Sequence, residues 1–227
     1  MGETVQLKAA DGQSIPAYVA RPSGPARGGV VVLQEIFGVN AHIRAVADGY
    51  AAEGYLAVAP AAFHRAKPGV ELGYGDEDKK AGFALKTSVE ALPVPGVLQD
   101  IQAAVDFAAQ AGKVGVVGYC WGGLLTWRAA CLLQGVAAAA PYYGGGVTSP
   151  EESARQPKAA VMAHFGERDQ WIPMDSVRAF AQAHPQVQVH SYAADHGFNC
   201  SERPVWDAAA ADLARQRTLD FFAKHLG

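Results

Sequence analysis

Three cysteines in 227 residues are an odd set, too few to suggest a disulfide framework. Free thiols of this kind fit a reducing compartment. No block of one charge is present either: 19 Lys and Arg stand against 22 Asp and Glu, for a net charge of −3. A surface of mixed sign offers no electrostatic basis for holding nucleic acid or an anionic membrane. No apolar run is long and unbroken enough to cross a hydrocarbon layer of about 30 Å. Met1 to Asp11 is polar and alternating, with neither a basic leader nor an apolar stretch, so no secretory signal is expected and the expected location is the cytoplasm. No HExxH segment and no close Cys/His cluster occurs along the chain, so neither a metal nor another cofactor is expected. A monomer acting on a small molecule is the expectation these absences leave.

Hydrophobic residues, counting Ala, make up 50% of the chain and charged residues 18%. That balance suits a soluble core large enough to stand without staples, and residues 1–227 are expected to form a single domain. Thr4 to Ala9 and Ile15 to Ala20 read as strands around an Asp11-Gly12 turn, a hairpin signal. Val30 to Leu33 is a continuous apolar run of the kind found in strands buried on both faces. Asn40 predicts the cap of a helix that ends near Glu53 and Gly54, and Leu56 to Ala59 predicts the next strand. Residues 61–75 are punctuated by Gly and Pro and read as a long surface excursion, a type of loop that often carries function. Further helices are predicted near 77–89, 97–110, 121–133, 175–184 and 204–225, with strands near 113–117, 136–140, 159–164 and 187–192. Strands alternating with helices imply a doubly wound, mostly parallel sheet with helices on both faces.

The most informative segment runs from Lys113 through Gly118-Tyr119-Cys120-Trp121-Gly122-Gly123. A strand, a Gly-x-Cys-x-Gly-Gly turn and a helical pattern follow one another there. That is the form of a nucleophile elbow, whose sharp strand-to-helix turn lifts its central side chain above the sheet. The helix start directs free N–H groups and a positive dipole end toward the thiol, which favours thiolate and a developing oxyanion. An ordinary buried cysteine in a Gly-rich turn is the plain alternative. Later, an apolar strand from Ala160 runs into a turn ending at Asp169, and the strand at 187–192 is followed by Asp195-His196-Gly197-Phe198. Nucleophile, acid and histidine in that chain order match an α/β-hydrolase. His196 would take or share the thiol proton and later activate water, with Asp169 holding its tautomer. Asp195 is a competing acid, though adjacency to His196 makes side-chain pairing awkward. His42, His64, His184 and His225 read as surface residues, and His164 as a hydrogen-bonded structural group near the acid turn.

Taken together, Gln34-Glu35-Ile36-Phe37-Gly38-Val39-Asn40, Gly118 to Gly123, Pro141-Tyr142-Tyr143-Gly144, His164 to Asp169 and His196-Gly197-Phe198 resemble the dienelactone hydrolase family, named for carboxymethylenebutenolidase. The resemblance implies an α/β-hydrolase fold and hydrolytic opening of an enol-lactone, or a related small ester, through an acyl-cysteine on Cys120. It implies that Glu35 approaches Cys120 and keeps the resting thiol protonated or engaged until substrate arrives. It also implies an oxyanion hole made by the backbone N–H groups of Ile36 and Trp121. Two arginines hold the substrate carboxylate in the best-known members, one before the elbow and one four residues past the histidine. Here Cys200 occupies the second position and Lys79, Lys80 and Lys86 stand in the first region, with Arg203 one turn beyond. Phe37, Tyr142, Phe198, Cys200 and Arg203 are therefore the expected substrate contacts. A thioesterase or general esterase with the same triad is the second enzymatic reading. A non-catalytic scaffold that binds a ligand or senses oxidants through Cys120 is the third.

Overall fold

The computed structural model describes residues 2–227. Its eight strands are β1 (Glu3–Lys8), β2 (Ser14–Ala20), β3 (Gly29–Leu33), β4 (Leu56–Pro60), β5 (Val114–Tyr119), β6 (Val136–Tyr142), β7 (Ala160–Gly166) and β8 (Gln188–Tyr192). They form one sheet in the order β1-β2-β4-β3-β5-β6-β7-β8. β1 and β2 pair antiparallel around Gly12, the hairpin expected there, and β2 runs antiparallel to β4. All remaining pairs are parallel. The apolar runs explain the centre: every residue of β3, β4 and β5 is buried, as a strand covered on both faces requires. This is the doubly wound arrangement expected of an α/β-hydrolase.

Helices cover both faces. α1 (Ala41–Ala52) and α7 (Ala208–Leu226) share one face, where Tyr50 meets Phe222 at 6.1 Å between ring centroids. α3 (Leu98–Ala108) and α4 (Trp121–Leu132) pack on the other. α1 starts where Asn40 predicts: its side chain accepts a hydrogen bond from Ile43 N at 3.2 Å. α7 starts later than its apolar pattern suggests. Residues 200–206 close on themselves through Arg203 N to Cys200 O and Trp206 N to Arg203 O, and Asp207 supplies the cap. α2 (Asp76–Glu90) and α6 (Met174–Ala183) fall close to expectation, whereas the short α5 (Pro150–Ser153), capped by Ser149, carries too few residues to show a period.

Two surface expectations fail. His184 is buried, its Nε2 2.9 Å from Ser153 O and its ring packed against Trp127 and Phe180. His42 is buried as well, on the inner side of α1. The excursion at 61–75 is also less free than its composition suggests. Phe63 stacks on Trp121 at 4.9 Å, and Arg65 is held by Asp100 at 2.7 Å and by Asp11.

Parallel strands place their carboxyl ends on one edge, and a crevice there is the usual ligand site of such sheets. The turns after β3, β5, β7 and β8 all open on that edge. What sets their spacing is contact between backbones. A Cβ built on Gly122 would lie 2.4 Å from Leu33 O and 2.5 Å from Gln34 O, so the first turn of α4 sits directly on the end of β3. Gly122→Ala must therefore push α4 away from β3. Overpacking of this kind costs about 1–3 kcal/mol, and at roughly 2–4 °C per kcal/mol for a chain of this size the melting temperature should fall by about 2–12 °C. Calorimetry checks this, and an unchanged melting temperature would show that the contact yields freely.

Candidate active site

Cys120 stands at the junction of β5 and α4 with φ 56° and ψ −116°. Positive φ is unusual for a residue with a Cβ, and such conformations cost on the order of 1–3 kcal/mol. The surroundings enforce it: Cys120 N donates to Tyr142 O at 3.1 Å, and Cys120 O accepts from Gly123 N at 3.0 Å. The side chain is left partly exposed at the floor of a cavity of about 590 Å³. Trp121 is the first residue of α4, so its N–H is among the helix-start donors that have no partner within the helix. Ile36 approaches from the turn after β3, and both residues line the cavity beside Cys120.

His196 reaches the same cavity from the loop after β8. Its Nδ1 lies 2.7 Å from Asp169 Oδ2 in the turn after β7. Asp169 is itself fixed, because its Oδ1 accepts from Trp171 N at 2.8 Å. With Nδ1 committed to Asp169, the other ring nitrogen is left for Cys120. Burial disfavours the imidazolium, but the neighbouring Cys120 and Asp169 side chains outweigh it, pushing the His196 pKa up to about 10. The neighbouring Asp195 does not compete: it faces outward and pairs with Arg168 at 3.7 Å. Tyr143 supports the ring from behind, edge-on at 5.1 Å, from a backbone with φ 35°.

Glu35 is buried after β3, and its Oε1 accepts from Arg203 Nη1 at 3.2 Å. Among the described residues no hydrogen bond joins Glu35 to Cys120, and Oε2 has no partner at all. Burial drives the Glu35 carboxyl above its ordinary range, against the opposing charges of Arg203 and His196. Arg203 threads past Gly197, whose φ is 90°. A Cβ there would stand 2.1 Å from the guanidinium, which explains why glycine follows His196. Arg203 thus links Glu35 to the cavity wall, a role that no local pattern around position 203 announces.

Of the expected substrate contacts, Phe37 and Arg203 line the cavity, but the structure does not bring the other three to it. Tyr142 is fully buried, with its hydroxyl 2.7 Å from Thr218 Oγ1 under α7. Phe198 is buried against Tyr143 and Tyr192. Cys200 is buried beside Tyr74 and Glu35, where burial pushes its thiol up to about 11. In their place α2 supplies Lys79, Phe83 and Lys86, and the acid turn supplies Trp171. Phe83 and Trp171 are exposed and meet at 6.2 Å across the cavity mouth. α2 is pinned in place by Glu90, which accepts from Trp121 Nε1 at 2.7 Å and from Arg128 at 2.9 Å. Lys80, the third cation offered by this helix, is not among the lining residues. Helical spacing from Lys79 through Phe83 to Lys86 could have singled out this face, since residues three and four apart share one side.

Comparison with known proteins gives the same architecture and a family. The sequence profile of the dienelactone hydrolase family matches residues 15–226. A carboxymethylenebutenolidase of Pseudomonas putida is 33% identical over 97% of this chain and 96% of its own length. A Synechocystis protein that carries carboxymethylenebutenolidase as a provisional name is 35% identical, over 93% of this chain and 92% of its own. A crystal structure from Klebsiella pneumoniae, provisionally assigned as a dienelactone hydrolase, superposes with a TM-score of 0.82 at 31% identity, covering 99% of both chains. The chain with Cys120 at its elbow belongs to the dienelactone hydrolase family.

Proposed function

We propose that Cys120 attacks the carbonyl of a small lactone or ester, and that the reaction passes through an acyl-cysteine on a Cys120–His196–Asp169 triad. Membership of the family makes the chain a hydrolase acting on esters or lactones. The observation that carries the residue-level reading is the 2.7 Å contact of His196 with Asp169, made in the cavity that Cys120 opens into. In this reading the thiolate sulfur bonds to the carbonyl carbon while the carbonyl oxygen takes up charge between the N–H groups of Ile36 and Trp121. Donors fixed by backbone need no rearrangement as that charge develops, the usual source of such stabilisation. Collapse of the intermediate expels the ring or alkoxide oxygen, which takes the proton from the His196 imidazolium. Neutral His196 then removes a proton from water, the hydroxide attacks the thioester, and the thiolate and acid product are released.

Glu35 and Arg203 support a gating role. Their pair lies between the turn after β3 and the cavity, so an anionic group that draws Arg203 toward the cavity loosens Glu35. Freed of its partner, a buried carboxylate readily takes a proton, and the Cys120 thiol is an available donor. Arg203, Lys79 and Lys86 around one apolar cavity favour an acyl group or lactone that bears a carboxylate. Phe83 and Trp171 suit a flat, unsaturated body. Lys is a point charge without the planar fork of Arg, so the carboxylate is held here by attraction and one guanidinium rather than by two forks.

Three outcomes are expected. Cys120→Ala should abolish hydrolysis of both p-nitrophenyl acetate and dienelactones; ester turnover that survives the substitution would remove Cys120 from the mechanism. Asp169→Asn should lower turnover by roughly a thousandfold or more and move the alkaline limb of acylation to lower pH. The sign follows from His196: its value is raised above the ordinary 6.5, so its proton is held through the neutral range and lost as pH rises through about 10. Without the Asp169 carboxylate that loss comes earlier, and a pH–rate profile with an unmoved limb would contradict the pairing. Lys79→Gln with Lys86→Gln should raise KM for a carboxylate-bearing ester about tenfold, the scale of one lost charge contact, with little change for a neutral ester. Equal effects on the two substrates would exclude anion selection by α2.

A further inference from the structure

We propose that Glu35, His42 and Cys200 form a binding site for a borderline-soft divalent cation of the zinc class, set behind the reaction cavity. The three residues come from the turn after β3, from α1 and from the loop after β8, so nothing in their sequence spacing marks them. In space, one donor atom from each lies within 4.8 Å of the others, and all three residues are buried. Two of those residues carry an unsatisfied atom: Glu35 Oε2 and His42 Nε2 are buried without a hydrogen-bond partner among the described residues. Buried polar atoms are rarely left unpaired, because each then loses its hydrogen bond to water without a replacement. A cation would satisfy both at once, and while bound it would withhold Glu35 from the proton transfer proposed above.

The donor set selects the ion. One sulfur, one imidazole nitrogen and one carboxylate oxygen suit zinc and its neighbours, whereas magnesium and calcium require cages of oxygen. Zinc bonds of about 2.0–2.3 Å place tetrahedral donors roughly 3.3–3.7 Å apart. The donors, within 4.8 Å of one another, must draw together by about 1 Å to reach that spacing. On binding, the cation forms bonds to Cys200 Sγ, His42 Nε2 and Glu35 Oε2, and the Cys200 thiol proton leaves to solvent. Thiolate and carboxylate together offset the two positive charges, and water completes the fourth position. His42 is already neutral at neutral pH, since burial and Arg203 depress it to about 4.

Supporting hydrogen bonds are already present. Glu35 Oε1 is held by Arg203 at 3.2 Å, leaving Oε2 for the cation. Asn40 Nδ2 donates to Tyr74 Oη at 3.1 Å, so the Tyr74 hydroxyl hydrogen is free to point at the Cys200 sulfur. Outer partners that orient ligands in this way are typical of protein metal sites. One of the three residues also borders solvent away from the reaction cavity. His42 lines a second cavity of about 250 Å³, with Asn199 and Ser201, that shares no lining residue with the first.

The test uses cobalt(II) as the probe and the full-length Cys120→Ala protein, so that the nucleophile cannot serve as the thiolate ligand and failure of the triad reading does not affect the outcome. One equivalent of cobalt should give a thiolate-to-cobalt charge-transfer band in the near ultraviolet, and one equivalent of zinc should remove it. Cys200→Ser in that background should abolish the band, and His42→Gln should weaken binding by roughly a hundredfold, at or beyond the 10–100-fold typical of losing an outer partner. Absence of the band in the Cys120→Ala protein, or its persistence in the Cys200→Ser protein, overturns the site. Should Cys200→Ser fail to fold, His42→Gln retains both remaining thiols and still decides: unchanged cobalt affinity there overturns the proposal.

Discussion

The close approach of α4 to the end of β3 is the constraint on which the rest of the site depends. Gly122 allows backbone to meet backbone, and the chain then has room for only one tight turn between β5 and α4. Cys120 occupies that turn with φ 56°, a conformation its Cβ resists and its neighbours impose. The strain is small beside the core that holds it, because every residue of β3, β4 and β5 is buried. In return, the thiol stands at a helix start and faces the ends of four parallel strands. Trp121 and Ile36 are brought within one cavity by the same contact.

Charge is arranged around that thiol in two layers. Toward the cavity lie His196 and Asp169, a pair that keeps a proton ready well above neutral pH. Behind it lie Glu35 and Arg203, a buried pair whose separation would leave a carboxylate in an apolar setting. A buried ion pair is poor evidence for stability, since desolvation offsets most of the attraction. In the proposed reading it serves as a switch, because whatever competes for Arg203 would also change the protonation of Glu35. Lys79 and Lys86 lie on the mouth side of this arrangement, and Phe83 with Trp171 narrows the entrance. The cavity is apolar with cations at selected points, an arrangement that suits the proposed carboxylate-bearing substrate.

How much of this was legible from residues alone depends on range. The fold was readable because buried parallel strands are continuous apolar runs and because Gly118 to Gly123 repeats the elbow pattern locally. Cys120, Asp169 and His196 could be singled out as candidates because each follows a strand, in chain order. Contacts over long separations were not readable. Arg203 and Glu35 are 168 positions apart, and only the folded path past Gly197 joins them. Tyr142 and Tyr143 show a different limit: β6 ends between them, and the positive φ of Tyr143 turns that ring to His196 while Tyr142 points under α7. Burial of His42, His184 and Cys200 was likewise hidden, since a single polar residue in a short helix or loop does not reveal which side faces inward. The first and last of these now flank Glu35, although no Cys/His spacing along the chain suggested it.

The central claim is that Cys120 carries the acyl group, and trapping that group tests it most directly. The protein should be mixed with a slowly released ester, quenched in acid, and examined by intact-mass and peptide-mapping mass spectrometry. The account predicts one acyl adduct per chain, located on Cys120 and accumulating further in His196→Ala when the ester bears a good leaving group. An adduct on another residue, or rapid ester turnover with no adduct at any quench time, would contradict it.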